Sequence, residues 1–161
     1  MGKSVLKIRF VRLNDFGCHL LIRVKINEKP ATLLIDTGAS NTVFDKARIE
    51  TLMGVSRFKA NRRKSTGLGT NSMESHEVSL ASFELGTLVL LDYYTIALDL
   101  SHVNHSYKKM KIKPIDGVLG SDLLSRFHAV VDYKQKTLTL EFPVATIVAK
   151  KPARRKRPVL S

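Results

Sequence analysis

Val5 to Arg12 (VLKIRFVR) and Leu20 to Ile26 alternate apolar and polar residues with a period of two. That period sets every second side chain on one face of a half-buried strand and does not suit an amphipathic helix. Asn14-Asp15-Phe16-Gly17 between them is turn chemistry, so the two read as a hairpin. Asn27-Glu28-Lys29-Pro30 is the next turn, and Ala31 to Ile35 is an almost wholly apolar run that stops at Asp36-Thr37-Gly38. Asp45 is placed to cap a short helix through Met53. From Phe58 to Leu80 the chain is polar and interrupted by glycine, which predicts two arms of a hairpin meeting at Gly67-Leu68-Gly69. Leu88 to Leu100 is an apolar strand, and the basic stretch from 101 through Lys113-Pro114 reads as a long irregular loop. A short helix, Ser121 to Phe127, and two strands, His128 to Tyr133 and Thr137 to Phe142, complete the chain. Strands throughout and only two short helices predict an all-β fold, with closure into a barrel as the way to remove sheet edges.

The 161 residues, 43% of them hydrophobic, fit one globular domain over residues 1–145. Residues 146–161 are set apart as a tail, because KKPARRKRPVLS carries Lys150, Lys151, Arg154, Arg155, Lys156 and Arg157 with two prolines and no acid. A formal charge of +13 raises nucleic acid as a partner. So much of it lies in that run that a solvated tail is the preferred reading. No apolar block has the form of a signal peptide or the length of a membrane span, so no membrane partner is expected. The single cysteine, Cys18, reads as a half-buried strand thiol and rules out an internal disulfide framework, which favours a reducing, cytoplasmic setting.

The residues with the strongest chemical content are Leu33-Leu34-Ile35-Asp36-Thr37-Gly38-Ala39-Ser40, in which a buried strand delivers a carboxylate to a tight turn. Val118-Leu119-Gly120, about eighty residues later, makes the pattern compound. The plainer reading of Asp36 is a turn residue accepting backbone N–H groups, and that of Gly67 and Gly69 an ordinary hairpin turn. Asp116-Gly117 reads as turn chemistry alone. His102 and His105 lie three apart without a Cys or Glu at ligand spacing, so no metal is assigned. His19, His76 and His128 read as strand or strand-edge residues. The Gly67 segment fails the dinucleotide fingerprint at its last position and opens no helix, and no Gly-x-Ser-x-Gly elbow is present.

LLIDTGAS, STGLGTNSMESHEV and IDGVLGSDLL together resemble the retropepsin-like aspartic peptidases over roughly residues 18 to 142. The small bacterial members are more similar than the viral ones. The resemblance implies an acid-protease-type β-barrel with a flap hairpin, no cofactor, and an aspartic endopeptidase that acts as a homodimer on peptide or protein substrates. In it Asp36 holds the water, Thr37 bonds across the dimer axis, and Gly38 lets the backbone approach substrate. Ala39 and Ser40 lie on the substrate side, with Ser40 bonded to the outer carboxylate oxygen, and Gly67, Leu68 and Gly69 form the flap tip. Two carboxylates sharing a proton supply both acid and base. Only one Asp-Thr-Gly occurs, and Asp116, Asp122 and Asp132 lack that turn. A second copy is therefore needed. The rival readings are a catalytically silent dimerisation or peptide-binding module, and nucleic acid engaged by the tail.

Overall fold

A computed structural model describes residues 1–14, 17–53, 59–67 and 70–144, with backbone alone for 59–67 and 70–73. The expected tail from 146 and the flap-tip residues Leu68 and Gly69 lie outside the described residues. Among the described residues ten strands form one sheet in the order β5, β6, β7, β4, β8, β3, β2, β1, β10, β9, with a further pairing of β6 to β2.

The period-two segments form strands because each buries one face. In β1 (Gly2–Arg12), Ser4, Leu6 and Ile8 are buried while Lys3, Val5, Lys7 and Arg9 face outward. The first half of β1 pairs with β10 (Thr137–Phe142) and the second half with β2 (Cys18–Ile26), so one strand serves two neighbours. β2 turns into β3 (Lys29–Ile35) through Asn27 and Glu28, both at positive φ, the two-residue geometry that suits a twisted hairpin. The Asn27 backbone N–H donates to Ser82 O at 2.9 Å, and its side-chain oxygen accepts the Ser82 N–H at 3.1 Å. That turn is thereby held against β6 (Thr70–Leu85). β5 (Lys59–Gly67) and β6 form the expected hairpin, and β6 continues antiparallel to β7 (Leu88–Leu98).

The centre of the sheet is mixed. β3 pairs parallel with β8 (Gly117–Leu119), which pairs antiparallel with β4 (Val43–Asp45), which runs parallel to β7. Every residue of β4 and β8 is buried, since both faces are covered. One face carries the main core, with Leu33, Ile35, Phe44, Leu80, Phe83, Leu119 and Leu138 among its members. On the other face the register places Arg9, Leu21, Leu34, Val118, Val43 and Ile96 in one row across six strands. Its apolar members join a second cluster with Leu100, Tyr107 and Ile115.

The cover of that second cluster corrects the expected loop. Residues Ser101–Lys109 form helix α2, which makes three helices among the described residues with α1 (Lys46–Met53) and α3 (Ser121–Arg126). Leu100, Val103 and Tyr107 are spaced as one helical face and pack on the sheet, while the Asn104 side chain binds both the N–H and the carbonyl of Ile115, at 2.8 and 3.1 Å. Lys108 and Lys109 stand in the last turn, where the helix dipole favours cations. As expected, Asp45 caps α1, its Oδ2 accepting the Arg48 N–H at 3.2 Å. β9 (Val130–Asp132) is shorter than His128 to Tyr133. His128 is left-handed at φ 46° and Asp132 Oδ1 accepts the Gln135 N–H, which starts the turn early. Cys18 is exposed at the start of β2, not half-buried. No helix of the described residues is long and apolar enough to cross a membrane.

Tyr93, packed against Phe83 in the main core, has its phenol pushed well above the usual value of 10.0, chiefly by burial and then by the Asp122 carboxylate. A phenol harder to ionise in the folded chain contributes its full share below pH 10 and loses it as pH rises toward the folded value. Chemical denaturation as a function of pH is expected to show stability falling above about pH 10, and Tyr93→Phe to flatten that fall.

Candidate active site

The alternation of β3 sends Leu33 and Ile35 into the main core and Leu34 to the α2 side, and the strand then releases Asp36 at its end. The Asp36 N–H still donates to Leu119 O at 3.1 Å, so the residue is anchored as an extension of the β3 and β8 ladder. Beyond it the chain turns sharply. Asp36 Oδ1 accepts the Gly38 N–H at 2.9 Å, and Asp36 O accepts the Ala39 N–H at 3.2 Å. Asp36, Thr37, Gly38 and Ser40 are exposed and Ala39 is half-buried.

The loop is braced from behind by α3. Ala39 O accepts both the N–H and the hydroxyl of Ser121, at 2.8 and 3.0 Å. Gly120 makes this approach possible, because a Cβ there would lie 2.5 Å from the Asn41 carbonyl group. Gly117 does the same one strand earlier, where a Cβ would stand 2.4 Å from Val43 O.

Thr42 ties these pieces together. Its hydroxyl donates to Asp122 Oδ1 at 2.7 Å and accepts the Gly120 N–H at 3.0 Å, its own N–H donates to the same Asp122 oxygen at 2.8 Å, and its carbonyl accepts the Thr95 hydroxyl at 2.7 Å. A second network lies beneath α1. Asp116 accepts the Thr32 N–H at 2.8 Å and the Arg48 Nε–H at 2.6 Å, and Asp45 Oδ1 accepts the Leu100 N–H at 2.8 Å. Asp116 is thus a buried bracing carboxylate and more than a turn residue. Nothing in a single sequence distinguishes it, or the Thr42 and Asp122 pair, since each meets its partner across a long loop.

Of the residues singled out by sequence, Asp36, Thr37, Gly38, Ala39 and Ser40 share one exposed loop. Ser40 makes no hydrogen bond to Asp36 in the single chain among the described residues. Gly67 ends β5 opposite Thr70. His102 and His105 lie on α2, His19 Nδ1 meets the Tyr107 hydroxyl at 2.5 Å, and His76 is buried in β6. Among the described residues no group of three or more His, Cys, Asp or Glu is placed to hold a metal ion.

The Thr42 hydroxyl accepts the buried Gly120 N–H, so Thr42→Val leaves that N–H without its acceptor. A loss of about 1–3 kcal/mol in urea denaturation is expected, with a smaller loss for Thr42→Ser, which keeps the hydroxyl.

The sequence model of the aspartyl protease family matches residues 22–123, which contain the Asp36 loop, β8 and the start of α3. No protein of curated function matches the chain in sequence. Among solved structures, a retropepsin-like aspartic protease from Rickettsia conorii aligns with a TM-score of 0.50 and 20% identity, over 87% of this chain and 95% of that one. The retroviral protease-like domain of Ddi1 from Leishmania major aligns with a TM-score of 0.53 and 19% identity, over 78% of this chain and 90% of that one. These likenesses give the mostly β, retropepsin-like fold, and the match over the greater part of its length places this chain in the aspartyl protease family.

Proposed function

We propose that the chain is an aspartic endopeptidase that works as a homodimer, with Asp36 of each copy forming the catalytic pair. The observation that carries this reading is the exposed Asp36 carboxylate on a loop fixed from behind by Leu119, Gly120 and Ser121. Membership of the aspartyl protease family supports the reaction class. The carboxylates on neighbouring elements, buried Asp45 and Asp116 and exposed Asp122, each accept two donors and hold the fold together, so they do not suit the second catalytic role. A two-fold axis beside the Asp36 loop supplies an identical partner. The β6 and β2 pairing is then the closing contact of an acid-protease-type barrel, and the β5 and β6 hairpin is the flap.

Two carboxylates held about 3 Å apart cannot both ionise and share one proton. The ionised member takes a proton from water as the oxygen attacks the peptide carbonyl, and the protonated member gives its proton toward the carbonyl oxygen. Return of a proton to the amide nitrogen lets the C–N bond break. Thr37 bonds across the dimer axis in this arrangement, and Gly38 leaves room for the peptide backbone.

Cleavage of a diverse peptide mixture, with products identified by mass spectrometry, tests the reading. The wild type is expected to give a bell-shaped pH profile, since one carboxyl must be protonated and the other ionised. Asp36→Asn is expected to lose at least about 10²-fold in kcat/KM while sedimentation shows the same dimer. Undiminished cleavage by Asp36→Asn removes the mechanism. Wild-type protein that binds peptides and cleaves none is the silent binding module instead.

A further inference from the structure

Asp36 has the strand parity of Leu34, the residue that β3 turns toward α2, and Ala39 also packs against the α2 cluster. Helix α2 and the row beneath it therefore border the carboxylate. Along that row Leu34 is opposite Leu21, and Leu21 is opposite Arg9. Two strand spacings separate Leu34 from Arg9, about 10 Å. Arg9 is exposed, shares its face of β1 with exposed Lys7, and is joined by exposed Arg23 on β2.

The C-terminal end of α2 lands on the same place. Tyr107 is fully buried there with its hydroxyl on His19, and the Arg9 charge partly offsets the burial that raises its phenol. Exposed Lys108, Lys109 and Lys111 follow directly. None of these six cations is ion-paired to a described residue, the pairs being Lys3 with Glu141, Arg48 with Asp116, and His76 with Glu74. Asp116 borders the face near Thr32, opposite Arg23, but is occupied by Arg48.

We propose that this face, formed by Lys7, Arg9, Arg23, Lys108, Lys109 and Lys111, holds the acidic flank of a polypeptide substrate while its apolar residues lie nearer Asp36. The assignment rests on the peptidase reading. An extended chain advances about 3.3 Å per residue, so acidic side chains about three residues from the cut reach Arg9. Polypeptide is favoured over nucleic acid because the cations continue an apolar row that leads to the carboxylate. The strongly exposed aromatics among the described residues, Tyr94 and Tyr133, lie on β7 and just beyond β9, so the face offers no such ring for a base to stack on.

The test is fluorescence anisotropy with full-length Asp36→Asn protein and two labelled peptides of the same apolar centre, one flanked by Glu and one by Gln. At low salt the Glu peptide is expected to bind at least about tenfold tighter, an advantage that shrinks toward parity in about 0.5 M NaCl as screening shortens the reach of the charges. Adding Lys108→Glu and Lys109→Glu removes the advantage, whereas Lys29→Glu, at the opposite end of β3 from Asp36, keeps it. Equal binding of the two peptides at low salt overturns the proposal. So does an oligodeoxythymidine of matched charge that binds more tightly than the Glu peptide and is lost in the same double variant. Cleavage by the wild-type enzyme is followed separately. Cleavage of both peptides without preference for Glu flanks sinks the acidic-substrate assignment and spares the peptidase reading. Preferential binding with cleavage of neither sinks the peptidase reading and leaves an acidic-peptide face standing.

Discussion

The contact between the backbone at Gly120 and the loop that follows Asp36 governs the rest of the site. With a Cβ at 2.5 Å from the Asn41 carbonyl, the loop and the entry to α3 would be forced apart. The Ser121 bonds to Ala39 O, and the Thr42 hydroxyl bond from the Gly120 N–H, all need that closeness. A loop held only by its flanking strand would sample many geometries. Here three segments distant in sequence meet with their polar groups satisfied, which fixes the Asp36 backbone before any partner arrives.

That arrangement has a consequence for the sheet. β3, β8 and β4 lie at the centre with both faces covered, and a buried strand has no reason to alternate. This is why Ala31 to Ile35 reads as an apolar run while β1 and the second half of β2 read as period-two patterns. The main core covers one face. The other needs α2, without which Leu21, Val43 and Val118 would be an open apolar surface. Helix α2 is thus structural first, and its polar outer side is what it presents beside the Asp36 loop.

Much of this was legible in the sequence where local rules apply. The hairpins, the Asp45 cap and the Asp36 turn follow from strand period, capping and turn chemistry, each set by residues within a few positions of one another. The misses share a cause. Leu100 to Lys109 carries three apolar side chains at helical spacing, Leu100, Val103 and Tyr107, among charged and polar neighbours, and composition outweighed period. Asp116 and Asp122 owe their roles to Arg48, Thr32 and Thr42, about 70 to 80 positions away, and no local pattern reports such a pairing. Cys18 came out exposed because β2 begins beside the turn of the hairpin, opposite Arg12 at the edge of the core, where the alternation has not yet been imposed by packing.

The carboxylates divide into two kinds, and the division bears on how one chain can do two-carboxylate chemistry. Asp45, Asp116 and Asp122 are engaged by backbone N–H groups, a hydroxyl and a guanidinium, and moving any of them to meet Asp36 would leave those donors unmatched. Asp36 accepts the Gly38 N–H through one oxygen and stands at the surface on a rigid turn. A carboxylate so placed is already where an approaching copy can reach it without rearranging the fold. Two identical turns facing each other across an axis present equal groups at equal height, which is the symmetric geometry that lets a proton be shared rather than owned. In the proposed dimer, the rigidity supplied by Gly120 and Thr42 would therefore matter most at the two-fold axis, where a displacement in one copy would be matched by its mate.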